Sequence, residues 1–460
     1  MSILSALFEQ SKIYNFEQAF GVKDITTPAM QAAIRDWARL YYQTEPTRDE
    51  DPCQRIPAAV VSKLTKTVFS EYEAHPAQDG NEYISTVLTA LDAIKSKAMQ
   101  QALIGGQCYL KPIFGPRGLS FAVVSRGNYI PLGRDERSVI TDVGTAERTV
   151  EGRTYYTLLE RRRVGADGTL TVESRLYSSA AEQVLGVETP LGSLDKYAAL
   201  TPELVLPGVD SVGLIPVRTP QENTVDGSPD AVSVYAPAAG LIHNINRNEA
   251  QLNREFENGR SRVIAAADML RTGPDGQKCL PDDLFVGLDD NPDVVGLTVF
   301  SPALREQSFL ARKTEYLRNV ESLIGLKRGI LSEVETAERT ATEVTSSAGD
   351  YNLTIIDFQR MWDAAVRETV RVCDVLGRLY GVYTGPRLDP EKDVLIDWGD
   401  GVLYDRARVN QELLSQVQAG LLAPERYLGW YYELPCDTPE DRRRIREAYM
   451  PQDTAVPGDV

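Results

Sequence analysis

The side chains able to carry acid–base, nucleophilic or metal chemistry are few and scattered. There are two histidines, His75 and His243, in 460 residues. His75 falls in a turn-like AHPAQDG and His243 on an expected helix, so both read as structural. A Ser-His-Asp triad or a histidine-rich metal site has almost nothing to build on. The five cysteines, Cys53, Cys108, Cys279, Cys373 and Cys436, are far apart and form no CxxC or Cys/His ligand spacing. That argues against zinc and for free buried thiols in a reducing cytoplasm. The acidic pairs Asp289-Asp290 and Asp397/Asp400 have the residue types for metal or general acid–base work. Both lie in turns or at strand ends, where Asp is common for turn chemistry alone. No phosphate-cradling GxxxxGK[ST], no GxGxxG after a strand, no GxSxG and no HExxH occurs. The sequence recommends no enzyme class and no cofactor.

The charge balance constrains partners. The formal net charge is −17 and the isoelectric point about 4.8. A protein that grips nucleic acid by neutralising phosphates is basic, at least locally. An acidic chain is soluble and gives only weak, nonspecific contact with a passing duplex. The ERRR run at 160–163 has the composition of a basic patch. Strand alternation puts Arg161 and Arg163 on one face and Arg162 on the other, which reads as a solvated sheet edge. No window approaches the ~18 apolar residues of a membrane span, and the first residues lack a basic flank and cleavage signature. The expectation is therefore no secretion by that route and no membrane anchor.

The elements that position these residues follow from periodicity. The length implies two or three packed units. Residues 1–103 read as helical: one helix opens at Thr27-Pro28, another spans Pro57 to about Tyr72, and a third runs from Glu82 to Leu103 and is closed by Gly105-Gly106. From Gln107 to about Tyr177 the pattern turns to strands in CYLKPIFG, GLSFAVVS, NYIPLG, RTYYTLLERRRVG and GTLTVESRLYSS, with a hairpin signal at ADG. Residues 178–234 read as irregular connector. A helix over 233–262 carries Leu241, Ile242, Ile245, Leu252 and Phe256 as an apolar stripe. A turn-dense insertion follows, and then a helix from Leu304 with Leu310, Leu317, Val320, Leu323 and Ile324. Two long helices around a small insertion form a hairpin with the insertion at its tip.

After Gly325 and Gly329 comes a small, hydroxylated, acidic stretch. Thr340 and Glu343 have capping-box spacing, so a helix restarts there. It carries Ile356, Trp362, Ala365, Val366, Val370, Cys373 and Leu376. From Thr340 to Tyr380 it would run roughly 60 Å at ~1.5 Å per residue, a length that fits either a helix spanning a large assembly or one kinked near Ser346–Gly349. VLIDWGD then reads as a strand, followed by three shorter helices and a disordered tail. The fold class is α+β, mainly helical.

Four stretches resemble the portal proteins of tailed bacteriophages, of the long-tailed type found in phages and prophages of Gram-positive bacteria. SVYAPAAGLIHNINRNEAQLNREFENGRSRVI is similar to that family's first stem helix. YLRNVESLIGLKRGILSEVETAERTATEV resembles its second stem helix and tunnel loop. FQRMWDAAVRETVRVCDVL resembles the body of the long helix, and VLIDWGDGVLYDRARVNQELLSQVQAGLLAPERYLGWYYELP the C-terminal region. Together they cover over a third of the chain, and TATEV combined with WGDGVL is the most specific part.

The resemblance implies a portal fold. Its parts would be a wing over 1–232, stem helices at 233–262 and 304–328, a clip at 263–303, a tunnel loop at 329–341, a long wing helix at 342–385, and a C-terminal wing and small crown over 386–460. It implies a ring, usually of twelve subunits, at one capsid vertex, through which double-stranded DNA is packaged and ejected. The partners would be the terminase large subunit, which supplies the ATPase, the head–tail adaptor, and the major capsid and scaffold proteins. The chain would sit in the virion and, during assembly, in the host cytoplasm. Ser332, Glu333, Glu335, Thr336, Glu338 and Arg339 would populate the tunnel loop. Lys313, Arg318, Lys327 and Arg328 would either form basic rings along the channel or serve as ordinary intersubunit ion-pair partners. Asp275, Lys278, Asp282 and Asp283 would meet the adaptor or terminase. The competing readings are another head–tail structural protein, such as an adaptor, and a cytoplasmic hydrolase built around Asp397 and Asp400.

Overall fold

The computed structural model describes residues 15–42, 52–77, 81–115, 118–182, 184–259, 262–265, 271–272, 278–279, 297–300, 303–332, 341–399, 406–432, 434–436 and 438–450. The fold mixes helix and sheet, as expected. Two compact units divide the chain: residues 1–68 with 74–396, and residues 69–73 with 397–460.

In the larger unit the N-terminal helices are α1 (Phe16–Phe20), α2 (Pro28–Tyr41) and α3 (Ile56–Val68). Thr27 caps α2 by accepting the Met30 N–H, with Pro28 in the first turn where a missing donor costs nothing. The single helix expected over Glu82–Leu103 is two, α4 (Glu82–Asp92) and α5 (Lys95–Gly105), after the short strand β1 (Glu73–Pro76). A tight turn at Ala93-Ile94 separates them, closed by the Ile94 N–H on the Leu91 carbonyl at 3.1 Å. The turn lets Ile84, Val87 and Leu91 on one helix and Ala98, Met99 and Leu103 on the other all be buried.

The strands are β2 (Gln107–Gly115), β3 (Gly118–Val124), β4 (Tyr129–Arg134), β5 (Ile140–Glu151), β6 (Thr154–Val164), β7 (Thr169–Ser179), β8 (Val187–Thr189), β9 (Glu203–Pro207) and β10 (Ile215–Arg218). They form an antiparallel sheet β4-β5-β6-β7-β8, with β9 also on β7, and a three-stranded sheet β10-β2-β3. The last three short strands lie inside the expected connector. Sequence periodicity misses β5 altogether, because Asp142, Gly144 and Glu147 dilute it. Gly144 is there for a reason: a Cβ would collide with the Phe16 ring, which packs on the sheet with Ala19, Ile130, Leu159 and Tyr177.

The ERRR expectation needs correction. β6 pairs with β5 on one side and β7 on the other, so it is a central strand and not a solvated edge. Arg161 bridges Asp142 at 2.7 Å and Glu173 at 3.5 Å across both neighbours. Glu160 is buried and takes an ion pair from Lys111 on β2 and another from Arg162 at 3.6 Å. A lone buried carboxylate would be expelled or protonated; these cations make the charge tolerable and tie the two sheets.

The C-terminal half begins with α6 (Ala239–Asn258). Next come β11 (Arg262–Ala265), β12 (Arg271–Thr272), β13 (Lys278–Cys279) and β14 (Leu297–Phe300), then α7 (Glu306–Ile324) and α8 (Ala341–Leu379). β11 pairs with β14 and β12 with β13, both antiparallel. α8 is continuous helix over 39 residues, running through Ser346–Gly349. It packs on α3, α4 and β10. The strand β15 (Val394–Asp397) ends on the first residue of the 397–460 stretch of the smaller unit, which holds Trp398, its ring stacked on Phe69, and the helices α9 (Arg406–Gln418), α10 (Pro424–Tyr431) and α11 (Pro439–Tyr449).

Two outcomes are expected. Gly106 has φ +84°, and a Cβ there would overlap the Ala231 carbonyl, whereas Gly21 has φ +68° and open space around it. Gly21→Ala therefore lowers stability by about 1 kcal/mol, the cost of left-handed backbone alone, and Gly106→Ala by at least roughly 3 kcal/mol, read in denaturant unfolding. The second concerns Glu160. Burial raises its carboxyl pKa, but Lys111 and Arg162 outweigh burial and hold it below the usual range. A lowered folded pKa means the group's stabilisation is complete above the unfolded value of about 4.5 and is lost as pH falls through the folded one. Lys111→Met lowers stability at neutral pH by roughly 2–4 kcal/mol, and its deficit shrinks in acid unfolding curves.

Candidate functional site: a helical hairpin with two anchored roots

α6 and α7 lie antiparallel. The Asn248 amide donates to the Phe309 carbonyl at 3.0 Å, Lys313 pairs with Glu249 at 2.9 Å, and Arg305 makes two bonds to Glu255 at 3.0 and 2.7 Å. Beyond Leu252 every α6 residue except Glu255 is exposed, as are residues 303–308 and 310–312 of the returning strand of the hairpin. The distal half therefore meets little among the described residues. Of the expected apolar stripes, Ile242, Ile245, Leu252, Val320 and Ile324 are buried, while Phe256, Leu310 and Leu323 are 43%, 44% and 50% exposed. Leu304 is exposed as well.

The first root is a buried run, Ala231 to Tyr235. The Val234 N–H and the Ser233 hydroxyl both donate to the Leu103 carbonyl, and the Tyr235 hydroxyl donates to the Trp37 carbonyl at 2.8 Å. A second contact reaches the hairpin from the chain before α3. The Gln54 N–H donates to Asn246 at 2.9 Å, and its side-chain oxygen accepts from Lys313 at 3.0 Å. Cys53 and Arg55 on either side have φ of +40° and +56°, left-handed values that non-glycine residues adopt only when neighbours impose them.

The second root centres on Glu321, which is fully buried in the last turn of α7. Its carboxylate accepts from the N–H groups of Gly329 (3.1 Å), Leu331 (2.6 Å) and Ser332 (2.9 Å), and from the Ser332 hydroxyl at 2.7 Å. The turn it organises starts at Gly325, φ +76°, where the Leu326 N–H bonds back to the Glu321 carbonyl at 2.8 Å. A Cβ on Gly325 would strike the Thr354 side chain, so this turn sits directly against α8.

The residues singled out from sequence distribute as follows. Ser332 is buried and committed to Glu321. Glu333, Glu335, Thr336, Glu338 and Arg339, with Thr340 of the capping box, lie outside the described residues, as do Asp275, Asp282 and Asp283. Lys278 is in β13, its backbone opposite Thr272. Lys313 is spent within the chain on Glu249 and Gln54. Arg318 is half-buried, and Lys327 and Arg328 are exposed on the turn around Glu321. Glu321 itself went unread. The available signal was its position inside the stripe Leu317-Val320-Ile324, where a carboxylate has no reason to be without partners.

Other chemistry-bearing groups have structural duties. Burial pushes the Cys373 thiol up to about 12 and the Cys108 thiol well above its ordinary value, so neither is a thiolate at neutral pH. His243 faces Asp36 at 2.9 Å. Asp397 accepts the Gly399 N–H at 2.8 Å, turn chemistry; Asp400 is outside the described residues. Among the described residues no cluster of three His, Cys, Asp or Glu is placed to hold a metal, and no helix is long and apolar enough to cross a membrane.

The Lys313–Glu249 pair is about three-quarters buried, whereas Arg305–Glu255 has its arginine 71% exposed. A double-mutant cycle is expected to give a coupling of about 1–2 kcal/mol for the first pair and a much smaller, salt-sensitive one for the second, measured by chemical unfolding.

No family model matches the chain, and no curated protein matches it. Among solved structures it is similar to a chain of the neck of a native gene transfer agent particle computed with C12 symmetry, at 12% identity and a TM-score of 0.42, over 92% of this chain and 99% of that one. It is also similar to a chain of the virion of a native gene transfer agent particle, at 13% identity and a TM-score of 0.45, over 93% of this chain and 99% of that one.

Proposed function

We propose that this protein is a structural component of the head–tail region of a phage-like particle and, more specifically, the portal subunit whose ring conducts double-stranded DNA. The observation that carries the reading is the hairpin. Two long antiparallel helices flank small strand pairs, their roots are pinned in the body, and the second root leads into a 39-residue helix. That is the order stem, clip, stem, loop and long helix which the portal-like stretches of the sequence imply.

Exposure supports self-assembly. Phe256, Leu304, Leu310 and Leu323 remain about two-fifths to one-half exposed on the hairpin among the described residues, and neighbouring copies in a ring would cover them. The net charge of −17 suits a conduit that must not hold the duplex it passes. On this reading Lys327 and Arg328 face the DNA, residues 333–339 line the channel, and Asp275, Lys278, Asp282 and Asp283 belong to the clip that meets adaptor and terminase. The chain works without chemistry of its own, in the virion, with capsid and scaffold proteins around it.

Negative-stain microscopy with light scattering tests this. Purified protein, alone or with capsid protein, is expected to form rings with a central hole and a mass of about twelve subunits. The double substitution Phe256→Asp, Leu310→Asp should abolish rings while leaving the circular dichroism spectrum unchanged. A compact monomer or dimer that never closes under any of these conditions overturns the proposal.

A further inference from the structure

Burial and position both disfavour a carboxylate at Glu321. It is fully buried, and it sits in the last turn of α7, where the helix dipole repels negative charge. An apolar residue would continue the Leu317-Val320-Ile324 stripe at no such cost. What the carboxylate supplies is direction: three backbone N–H groups and one hydroxyl from Gly329 to Ser332 converge on its two oxygens. The turn so closed carries Lys327 and Arg328 on its outside, both exposed, with no acidic partner among the described residues.

We propose that Glu321 is a positioning residue. Its carboxylate fixes the turn 325–332 so that Lys327 and Arg328 are held at a set place and direction toward the phosphates of a duplex. The duplex is the one named in the portal reading, on which this inference rests. Without the clamp the same two cations would ride on a loose linker and follow the DNA, and their charge would no longer be a fixed feature of the channel wall. Two fixed positive charges per subunit, repeated around a ring, guide an axial duplex without base contacts. Lys313, committed to Glu249, does not contribute to this positive band.

The test has two arms that fail separately. In hydrogen exchange on the full-length protein, the amides of Gly329, Leu331 and Ser332 are protected in the wild type. Glu321→Gln, which turns an NH2 group toward those donors, should speed their exchange at least tenfold and leave the α6 and α7 amides unchanged. Unprotected wild-type amides, or equal rates in the variant, overturn the clamp whether or not rings form. Should Glu321→Gln not fold, Ser332→Ala removes one donor and should accelerate the Ser332 and Leu331 amides alone; no acceleration is equally fatal.

The second arm uses particles assembled with variant rings and reads DNA packaged per particle. Lys327→Ala with Arg328→Ala should reduce packaging severalfold, Glu321→Gln should do the same, and the triple variant should be no worse than the double. Normal packaging in either variant, or a multiplicative loss in the triple, sinks the positioning role. Protected amides in a chain that forms no rings would instead mark the portal reading itself as the failure.

Discussion

The structure depends on burying one side of α8. A 39-residue helix has no reason to persist in water on propensity alone, and its stability has to come from packing. Ile355, Phe358, Trp362, Ala365, Val366, Thr369, Val370, Cys373 and Leu376 supply it, all buried on the side that meets α3, α4 and β10. At about 1.5–3 kcal/mol for each large apolar side chain fully buried, Phe358 and Trp362 alone outweigh the partly exposed ion pairs that α8 also carries. Those pairs have another use. Arg367 and Arg378 donate to the carbonyls of Pro390 and Pro386, and buried Asp374 accepts the Leu388 N–H, so the chain leaving α8 is laid back along it.

With α8 fixed, the hairpin is fixed too, because Gly325 at the end of α7 abuts Thr354 and only a residue without a Cβ fits there. The other root is held from α2 and α5 through Trp37 and Leu103. Among the described residues the distal helices have no such support, and that division follows from composition. Residues of α6 near the body are Ile242, Ile245 and Ala250, whereas the distal stretch NREFEN is polar apart from Phe256. A chain that builds a rigid base under an exposed pair of helices has reserved those helices for something outside itself.

Sequence periodicity made the helices legible, since burial of one face repeats every three or four residues and needs no knowledge of the partner. The Pro28 helix, the hairpin pair and the long helix after residue 340 were all visible on that ground. What stayed hidden depends on partners distant in the chain. β5 owes its glycine to Phe16, more than a hundred residues away, and the arginines of β6 read as surface until Asp142, Glu173 and Lys111 are brought beside them. The break at Ala93-Ile94 carries no glycine or proline to announce it. Leu323, apolar and counted in the stripe of α7, is exposed, and Glu321, at the stripe's spacing but charged, is inside.

That exchange of a leucine for a glutamate shows what apolar packing cannot supply. Hydrophobic contact is nondirectional: a leucine at 321 would bury well against many conformations of the turn 325–332 that follows. A carboxylate with two oxygens and four donors accepts very few. Leaving any of those donors unpaired in the interior costs on the order of 1–3 kcal/mol, so alternative paths for residues 329–332 are penalised one hydrogen bond at a time. The buried charge thus trades stability for a single backbone course at the point where the hairpin gives way to the segment before α8. The same reasoning separates Glu321 from Glu160. Glu160 is neutralised by Lys111 and Arg162 and holds two sheets together, whereas Glu321 is satisfied, among the described residues, by backbone and hydroxyl donors and defines the shape of a turn.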